Sequence, residues 1–307
     1  MANPLQTLAA LPGMLQNEPL AKHVTFQVGG PAKYFLSSGD TALIAKALAL
    51  ANEAHLPVAP LGGGSNVLVA DAGFPGLIIQ FTSSRCEVVG NTVDADAGTT
   101  LSRIVRAAIG ANLGGIEFAV GVPGSFGGAL AGNAGTGGHG IAEFAKEVRA
   151  LTLAGEEKTY TRDQLDVSYR YSRFKYNTQE LITGGVLELT PENPTVIQER
   201  VREAVTRRGW QPKGAWCAGC IFKNPTGNHA GKLIQEAGLK GKKIGGAKVS
   251  EDHANFITNT GTATAEDIVI LISYVKQQVR DKLGVQLEEE VRYLGFETPS
   301  QANFASL

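Results

Sequence analysis

Hydrophobic residues recur along the chain in two patterns, one helical and one strand-like. In five segments they return every three or four residues, which places them on one face of a helix. Asp40 stands before the first of these segments, and Thr99 or Thr100 before the second. Their side-chain oxygens can accept hydrogen bonds from the free N–H groups of a helix start. Helices are therefore expected over residues 40–55, 101–111, 196–208, 230–237 and 264–283.

Shorter segments alternate between polar and apolar residues or are continuously apolar, as strands are. Gly29-Gly30-Pro31 separates the first two and indicates a hairpin, and Ala154-Gly155 separates another pair in the same way. Strands are expected over residues 23–28, 32–36, 58–61, 67–69, 77–81, 86–89, 91–97, 148–153, 158–160, 181–189, 254–258 and 285–294. Such a mixture of helices and short strands indicates the α+β class.

Two glycine-rich stretches, residues 62–66 and 121–135, are the strongest sign of a ligand site. With little Cβ bulk, backbone N–H groups can approach a planar or phosphorylated ligand, and glycine can adopt the positive φ angles of tight turns. A flexible linker is the alternative, but linkers are rich in serine and charge, whereas residues 121–135 have apolar neighbours. The pattern favours a ligand cradle.

Composition excludes several classes of protein. The 307 residues allow two or three domains, and the net charge of −1 with 43% hydrophobic residues argues against disorder and against nucleic-acid binding. No stretch approaches the apolar length of a membrane span, and the N-terminal segment does not resemble a signal peptide. We therefore expect a cytoplasmic protein that does not bind membranes. Three cysteines agree with a reducing compartment.

Generic motifs fail when their context is considered. Residues 135–140 satisfy G-x-G-x-x-G, but no strand is expected before them and no ribose-binding acid follows, which argues against a Rossmann site. No Walker A sequence is present. Cys217 and Cys220 form a C-x-x-C without a second pair, so no metal site is expected. These cysteines are either small buried residues or include a thiol placed to deliver a proton.

Three other charged or titratable positions leave alternatives open. Residues 169–175 carry cations among aromatic rings, which fits either a solvated strand edge or a surface that faces an anion. Residues 288–290 are three glutamates, a run that is usually a solvated face. His253 on its own has the features of a structural histidine.

Five motifs, taken together in order, resemble the UDP-N-acetylenolpyruvoylglucosamine reductases, flavoenzymes of bacterial peptidoglycan precursor synthesis. The resemblance runs from about residue 23 to residue 295. The motifs are GGGSNVLV at 62–69, GVPGS at 121–125, YRYS at 169–172, AGCIFKNP at 218–225 and EVRYLG at 290–295.

The resemblance implies an FAD-binding fold of the vanillyl-alcohol-oxidase (PCMH) type in two subdomains, with a C-terminal α+β substrate-binding domain. The implied bounds are 1–80 with 291–307 for the first subdomain, 81–192 for the second, and 193–290 for the substrate-binding domain. The short segment between Phe174 and Leu181 lacks the tyrosine-bearing loop of one class, so the chain resembles the loop-less class.

The activity that the resemblance implies has two halves. NADPH reduces FAD, and the reduced FAD then reduces UDP-N-acetylglucosamine enolpyruvate to UDP-N-acetylmuramate. We expect the enzyme to be a monomer. The implied substrate-binding residues are Tyr169, Lys223, Asn224 and His253. The implied cofactor-binding residues are Gly62, Gly63, Gly64, Ser65, Asn66, Gly121, Val122, Pro123, Gly124, Ser125, Gly128 and Asn133.

Three residues match the family's catalytic positions: Arg170, Glu290 and Cys220. Arg170 and Glu290 are expected to stabilise the negative charge that develops on the substrate when hydride is added. Cys220 stands where the family usually has a proton-donating serine, and a thiol, with an ordinary pKa of about 8.5, is a better acid than an alcohol. We also hypothesise that Cys217 and Cys220 form an inactivating disulfide under oxidising conditions.

Two other functions remain open from the sequence. An FAD oxidase of the same fold would use the glycine stretches equally well and would consume oxygen. A UDP-sugar-binding protein that retained the fold would bind nucleotide without reducing flavin. Residues 218–225 and 290–295 favour the reductase, since they belong to its pattern.

Overall fold

The computed structural model describes residues 3–209, 211–212 and 214–296. The described helices are α1 Pro4–Ala9, α2 Thr41–Glu53, α3 Leu101–Gly110, α4 Phe126–Ala131, α5 Pro194–Arg208, α6 Ala230–Glu236 and α7 Ala265–Leu283. The described strands are β1 Met14–Pro19, β2 Pro31–Ser38, β3 Val58–Pro60, β4 Val67–Val69, β5 Phe74–Phe81, β6 Cys86–Val89, β7 Thr92–Asp96, β8 Leu113–Gly114, β9 Gly135–Thr136, β10 His139–Gly140, β11 Ala145–Thr152, β12 Glu157–Thr161, β13 Glu180–Glu188, β14 Thr190–Pro191, β15 Lys243–Ile244, β16 Ala247–Val249, β17 Ile257–Asn259 and β18 Arg292–Leu294.

All five predicted helices are present, and the N-cap side chains of α2, α5 and α7 make capping hydrogen bonds. The Asp40 carboxylate accepts hydrogen bonds from the N–H groups of Ala42 and Leu43 at the start of α2. Thr264 and Asp267 form a capping box at the start of α7. Thr100 is the N-cap residue of α3 but makes no side-chain capping bond. The hydroxyl of Thr99 donates instead to the carbonyl oxygen of Arg85.

The strands form sheets of mixed size. A five-stranded antiparallel sheet has the order β12-β11-β13-β7-β6, and a four-stranded sheet has the order β1-β2-β5-β3. Strands β15, β16 and β17 form a small antiparallel sheet. The C-terminal strand β18 pairs in parallel with β4, with Arg292 opposite Val67. This content of helices and largely antiparallel strands is that of the α+β class, as predicted.

The chain divides into two compact units. Among the described residues, the first unit contains 3–16, 34–65 and 76–212, and the second contains 17–33, 66–75 and 214–296. The first unit has two apolar cores, one beneath α2 and one between α3, α4 and the five-stranded sheet. The core of the second unit lies around α6 and α7.

Helix α5 belongs to the first unit, where Arg200 lies 3.5 Å from the buried carboxylate of Glu117. From the sequence, this helix is predicted to start a third domain. The division into three domains stays a prediction, and its residues 297–307 lie outside the described part of the chain.

One strand prediction is wrong, and two others are too long. Residues 23–28 are not the first arm of a hairpin, because Leu20–His23 form a 3₁₀ turn and Gln27 has φ +53°, which breaks an extended strand. The strand expected over 254–258 is confined to Ile257–Asn259, and the one over 285–294 to Arg292–Leu294. Helix α4, inside the second glycine stretch, has no counterpart among the predicted helices.

No described helix is both long and apolar enough to cross a membrane. Within the described ranges, no group of three or more His, Cys, Asp and Glu side chains is arranged to hold a metal ion.

Candidate active site

The two glycine stretches lie side by side in the first unit. A Cβ placed on Gly62 would lie 2.3 Å from the Ser125 hydroxyl, and one on Gly63 would lie 3.2 Å from Cα of Gly124. The hydroxyl of Ser65 donates to the carbonyl oxygen of Pro123 at 3.4 Å. A side chain at Gly62 would displace the Ser125 hydroxyl, and one at Gly63 would press on the Gly124 backbone, so the glycines allow the two segments to approach closely.

The second glycine stretch turns sharply into a short helix. Gly121 has φ +74° and Gly124 has φ +117°, a region that residues with a Cβ rarely adopt. Ser125 then caps α4, and its hydroxyl accepts a hydrogen bond from the N–H of Gly128 at 3.4 Å. Val122 and Pro123 complete the turn between the two glycines. The predicted cofactor residues of this stretch therefore share one loop.

Asn133 is a buried residue whose amide joins two other segments of the first unit. Its Nδ2 donates to the carbonyl oxygen of Ser168 at 2.9 Å, and its Oδ1 accepts from the N–H of Ala142 at 3.0 Å. The backbone of Asn133 is left-handed, with φ +42°. These contacts give it a clear structural purpose, and its role in cofactor binding stays a prediction.

Arg170 lies at the tip of a tight turn. Ser168 and Tyr171 exchange two backbone hydrogen bonds of 3.1 Å, which leaves Tyr169 and Arg170 as the central residues. Arg170 has φ +57°, and a non-glycine residue in this region carries a strain of about 1–3 kcal/mol. Strain of this kind persists where surrounding contacts maintain it.

Several contacts hold this turn in place. The Arg170 guanidinium donates through Nη1 to the carbonyl oxygen of Gly135 at 2.7 Å and lies 5.4 Å from the ring centre of Tyr169. Lys175, only 3% exposed, donates through Nζ to the carbonyl oxygen of Arg170 at 2.6 Å. The hydroxyl of Ser172 donates to the carbonyl oxygen of Ala131 at 2.9 Å.

A buried carboxylate anchors the chain just beyond the turn. Glu180 accepts hydrogen bonds from the Tyr160 hydroxyl, from Lys158 at 3.3 Å and from Asn177 at 2.9 Å. Arg173 lies 3.7 Å from the same carboxylate and 4.2 Å from the Tyr160 ring centre. Burial works against the charge of Glu180, but the hydrogen bonds from Tyr160 and Lys158 outweigh it and lower the pKa of the carboxyl group.

In the second unit, backbone hydrogen bonds place Cys220 and Glu290 on neighbouring extended segments. Cys220 pairs with Phe256, and the N–H of Ile221 donates to the carbonyl oxygen of Asn255 at 2.9 Å. On its other side, the carbonyl oxygen of Ile221 accepts from the N–H of Glu290 at 2.7 Å. Two of the predicted catalytic residues, 70 positions apart in sequence, therefore meet across one backbone ladder.

Two asparagines, the buried Asn255 and the half-buried Asn66, stabilise this ladder at its edges. The Asn255 side chain makes two hydrogen bonds to the backbone of Phe222, accepting at 2.9 Å and donating at 2.8 Å. Asn66 donates through Nδ2 to the main-chain carbonyl oxygen of Glu290 at 3.2 Å. The main-chain carbonyl oxygen of Asn66 accepts from the N–H of Arg292. The neighbouring Glu289 is bound to Lys276 at 2.7 Å.

The predicted substrate residues of this unit lie near the same ladder. Lys223 donates through its N–H to the carbonyl oxygen of Glu288 at 2.8 Å, and its ammonium lies 3.1 Å from the Glu288 carboxylate. Oδ1 of Asn224 accepts from the N–H of Ala230 at 3.0 Å and so caps α6. These two residues are brought together with Cys220 and Glu290, while Tyr169 and Arg170 belong to the first unit.

His253 packs inside the second unit. Its Nδ1 accepts a hydrogen bond from the N–H of Asn255 at 3.0 Å, so the neutral ring carries its proton on Nε2. The ring fills the space beside Gly231, where a Cβ would approach it to 2.7 Å. Burial lowers the pKa of His253, which favours the neutral form. Its predicted contact with substrate remains a prediction.

None of the described cysteines is in a disulfide bond. Burial raises the pKa of Cys217, which reduces the fraction of reactive thiolate. The carbonyl oxygen of Cys217 accepts a hydrogen bond from the Thr25 hydroxyl at 2.6 Å. The disulfide between Cys217 and Cys220 stays a hypothesis.

Comparison with known proteins connects these features to one family. The pattern of the UDP-N-acetylenolpyruvoylglucosamine reductase C-terminal domain matches residues 211–294, and that of an FAD binding domain matches residues 32–160. A reductase of this name from Symbiobacterium thermophilum is 38% identical, over 96% of this chain and 97% of its own length. One from Lactiplantibacillus plantarum is 40% identical, over 91% and 93%.

A solved structure agrees with the sequence comparisons. The crystal structure of the UDP-N-acetylenolpyruvylglucosamine reductase from Thermus caldophilus has a TM-score of 0.78, with 32% identity over 92% of this chain and 98% of that one. The chain belongs to the UDP-N-acetylenolpyruvoylglucosamine reductase family. Its FAD-binding fold is of the vanillyl-alcohol-oxidase type, as the sequence predicts.

Features of the structure fit the FAD of a UDP-N-acetylenolpyruvoylglucosamine reductase. In the first unit, the glycine loops leave backbone exposed where a Cβ at Gly62 or Gly63 would collide with the facing loop. In the second unit, Oδ1 of Asn66 is buried and accepts no hydrogen bond, so a donor such as a hydroxyl or ring N–H would satisfy it. Backbone N–H groups and an orphaned acceptor are the kinds of group that a flavin dinucleotide needs.

The residues of this reductase that hold the predicted catalytic groups in place were not predicted from the sequence. Lys175, Glu180 and Asn255 act on backbone or on buried partners distant in sequence. Lys175 falls within the cationic run at 169–175, and this run is its one signal in the sequence. Glu180 and Asn255 carry no sequence signal of their own.

Proposed function

We propose that this chain reduces UDP-N-acetylglucosamine enolpyruvate to UDP-N-acetylmuramate in cytoplasmic peptidoglycan precursor synthesis. FAD is its cofactor and NADPH its reductant, and the enzyme is a UDP-N-acetylmuramate dehydrogenase. The observation that carries the proposal is the ladder in which Cys220 and Glu290 lie on segments joined by a backbone hydrogen bond at Ile221. The second half of the reaction requires a proton donor and a carboxyl group at the substrate, and this ladder holds the main chain of both candidates.

Bound at this site, FAD would supply the hydride chemistry, from NADPH to the β-carbon of the enolpyruvyl group. The glycines at 62–64 and 121–124 would bind the cofactor through backbone N–H groups, together with Ser65, Ser125 and Gly128. Asn66 would offer its buried Oδ1 to a donor. The support for these assignments is the close approach of the two glycine loops.

Addition of hydride leaves negative charge on the α-carbon and its carboxylate. Arg170 is suited to bind that carboxylate, because a guanidinium offers two parallel N–H donors and remains charged at any physiological pH. Its turn is already shaped by its neighbours, so little reorganisation is needed when charge develops. Glu290 matches the family's catalytic glutamate, and we assign to it the polarisation of the substrate carboxylate.

The α-carbon must then receive a proton, and we assign this step to the Cys220 thiol. A thiol gives up its proton far more readily than the serine usual in the family. The pairing of Cys220 with Phe256 fixes its backbone, and the Glu290 segment flanks it through Ile221. The thiolate left behind would regain a proton from solvent.

The remaining assignments complete the proposal. Tyr169, Lys223, Asn224 and His253 would bind the substrate, and the protein would act as a cytoplasmic monomer with three domains. The class without the tyrosine-bearing loop fits the short connection of residues 175–179 between Phe174 and β13.

Product analysis tests this function. The purified protein, FAD, NADPH and UDP-N-acetylglucosamine enolpyruvate are incubated under nitrogen, and the sugar nucleotides are identified by mass spectrometry. We expect the substrate to gain two hydrogen atoms, with one NADPH consumed for each molecule of product. Consumption of NADPH only when oxygen is admitted would support an oxidase instead, and no consumption in either condition would support a binding protein.

A further inference from the structure

Lys175 is a buried cation next to the proposed catalytic arginine, and the mechanism above does not use it. Its side chain is 3% exposed, and its ammonium donates to the main-chain carbonyl oxygen of Arg170 at 2.6 Å. Burying an ammonium group is unfavourable unless hydrogen bonds replace its water. A short, charge-assisted bond at this depth therefore fixes the acceptor peptide firmly.

The peptide that Lys175 holds belongs to a residue in an unfavourable backbone conformation. Arg170 occupies the third position of the turn from Ser168 to Tyr171, with φ +57°. Turns with a positive φ at this position favour glycine or asparagine, because a larger residue brings its Cβ against the backbone. Without an external restraint, Arg170 would relax towards negative φ.

That relaxation would move the guanidinium. In the structure, Nη1 of Arg170 donates to the carbonyl oxygen of Gly135 at 2.7 Å, and the guanidinium lies near the Tyr169 ring. A change in φ rotates the Cα–Cβ bond, and a displacement of about 1 Å in a positioning group can reduce a rate about a hundredfold. The position of the Arg170 guanidinium thus depends on the backbone conformation of Arg170.

Other contacts hold the ends of the turn. Asn133 donates to the carbonyl oxygen of Ser168, and Ser172 donates to that of Ala131. The contact from Lys175 is the one among these that reaches the peptide of Arg170 itself.

We propose that Lys175 is a positioning residue, whose ammonium holds the Arg170 backbone in its left-handed conformation and so aims the guanidinium before the substrate carboxylate arrives. This inference rests on the proposed function for the role of Arg170. It gives the buried lysine a purpose in the second half-reaction, where negative charge develops on the substrate.

The experiment compares the two half-reactions in the FAD-loaded full-length protein by anaerobic stopped-flow absorbance. Lys175→Met keeps the length and apolar stem of the side chain but removes the donor. We expect reoxidation of the reduced enzyme by the enolpyruvyl substrate to slow about tenfold, as for the loss of one hydrogen bond from a charged group. Reduction by NADPH is expected to change less than about twofold.

A double-mutant cycle separates positioning from a general loss of structure. In an Arg170→Ala background, Lys175→Met is expected to cause no further slowing of reoxidation, because the side chain that it positions is absent. Lys146→Met, which removes an exposed lysine paired with Glu188 in the same unit, is the matched control and should leave both half-reactions unchanged. If Lys175→Met does not fold, Lys175→Gln, which keeps a neutral donor, replaces it in both backgrounds.

Two results would overturn the inference: equal slowing of both half-reactions, or the same fold loss with and without the Arg170 side chain. Failure of the proposed function looks different, since the unmodified protein would then not be reoxidised by the enolpyruvyl substrate at all. An unmodified protein that performs both halves, with a Lys175 variant that shows no selective loss, refutes the positioning role alone.

Discussion

The two units hold their predicted catalytic residues by different means. In the second unit, Cys220 and Glu290 lie on extended segments joined by backbone hydrogen bonds, and asparagine side chains fasten the edges. In the first unit, Arg170 projects from a strained turn that is restrained by side chains, Lys175 and Asn133 among them. One arrangement depends on the backbone, and the other on a few polar side chains.

This difference has a consequence for how each unit tolerates change. A backbone ladder survives most substitutions, because its donors and acceptors are the same for every residue except proline. A turn held by side chains loses its shape when one of them is shortened. We therefore expect residues 168–175 to be sensitive at many positions, and the ladder to be sensitive only at the asparagines that fasten it.

The largest expected effect is at Asn255, which is 3% exposed and bonds twice to the Phe222 backbone. Asn255→Ala leaves a buried N–H and a buried carbonyl oxygen unsatisfied. Each such group costs about 1–3 kcal/mol, so we expect a loss of about 2–5 kcal/mol in the free energy of unfolding. Equilibrium urea unfolding measures it.

Asn228→Ala is the matched control, since Asn228 makes an exposed hydrogen bond to the N–H of His229. It is expected to change the free energy of unfolding by less than about 1 kcal/mol. Equal losses in the two variants would show that the ladder is not fastened by its buried asparagine.

The buried Glu180 carboxylate of the first unit is expected to make the stability of the protein depend on pH. The pKa of Glu180 is lower in the folded protein than its ordinary value, so its contribution is complete above about pH 4.3 and is lost as the pH falls through the folded value. Glu180→Gln should cost about 1–3 kcal/mol at neutral pH, where hydrogen bonds to the charged carboxylate are lost. The difference in free energy of unfolding between the native protein and Glu180→Gln should narrow on acidification. Urea unfolding at neutral and acidic pH measures this difference.

Glu188→Gln provides the comparison, because Glu188 is an exposed carboxylate paired with Lys146. Its effect is expected to be small at both pH values. A gap for Glu180→Gln that stays constant between neutral and acidic pH would contradict the account of the anchor.

The smallest expected effect is at Cys220, where the ladder rather than the side chain sets the position. Cys220→Ser restores the residue usual in the family, and reoxidation by the enolpyruvyl substrate should slow by no more than about tenfold at neutral pH. The native enzyme should lose activity at alkaline pH as the thiol ionises, and the serine variant should not. A pH profile of the reoxidation rate distinguishes them.

Cys86→Ser serves as the control, since Cys86 lies on β6 of the first unit. An alkaline decline that persists in Cys220→Ser would mean that another group donates the proton.

The sequence predicted the features that local chemistry determines. Helix α2 was predicted because Asp40 precedes a regular apolar stripe, and α7 because its apolar residues recur at helical spacing. Helix α4 was missed because Gly127 and Gly128 have low helix propensity, and its capping by Ser125 outweighs them only in the folded context. The motif residues were found by resemblance.

The features that could not be predicted depend on contacts with main-chain groups. The link between Ile221 and Glu290 joins main-chain groups, which have no sequence signature. The contact of Lys175 is made to a residue with a left-handed φ, an angle that propensity argues against for arginine. The supporting residues of an active site are for this reason harder to predict than the reacting ones.

The visible spectrum of the protein under nitrogen shows whether one bound flavin serves both half-reactions. We expect a yellow protein that NADPH bleaches and that UDP-N-acetylglucosamine enolpyruvate then restores to yellow without oxygen. A colourless protein that takes up no FAD would contradict it, and so would a bleached protein whose colour returns only in air.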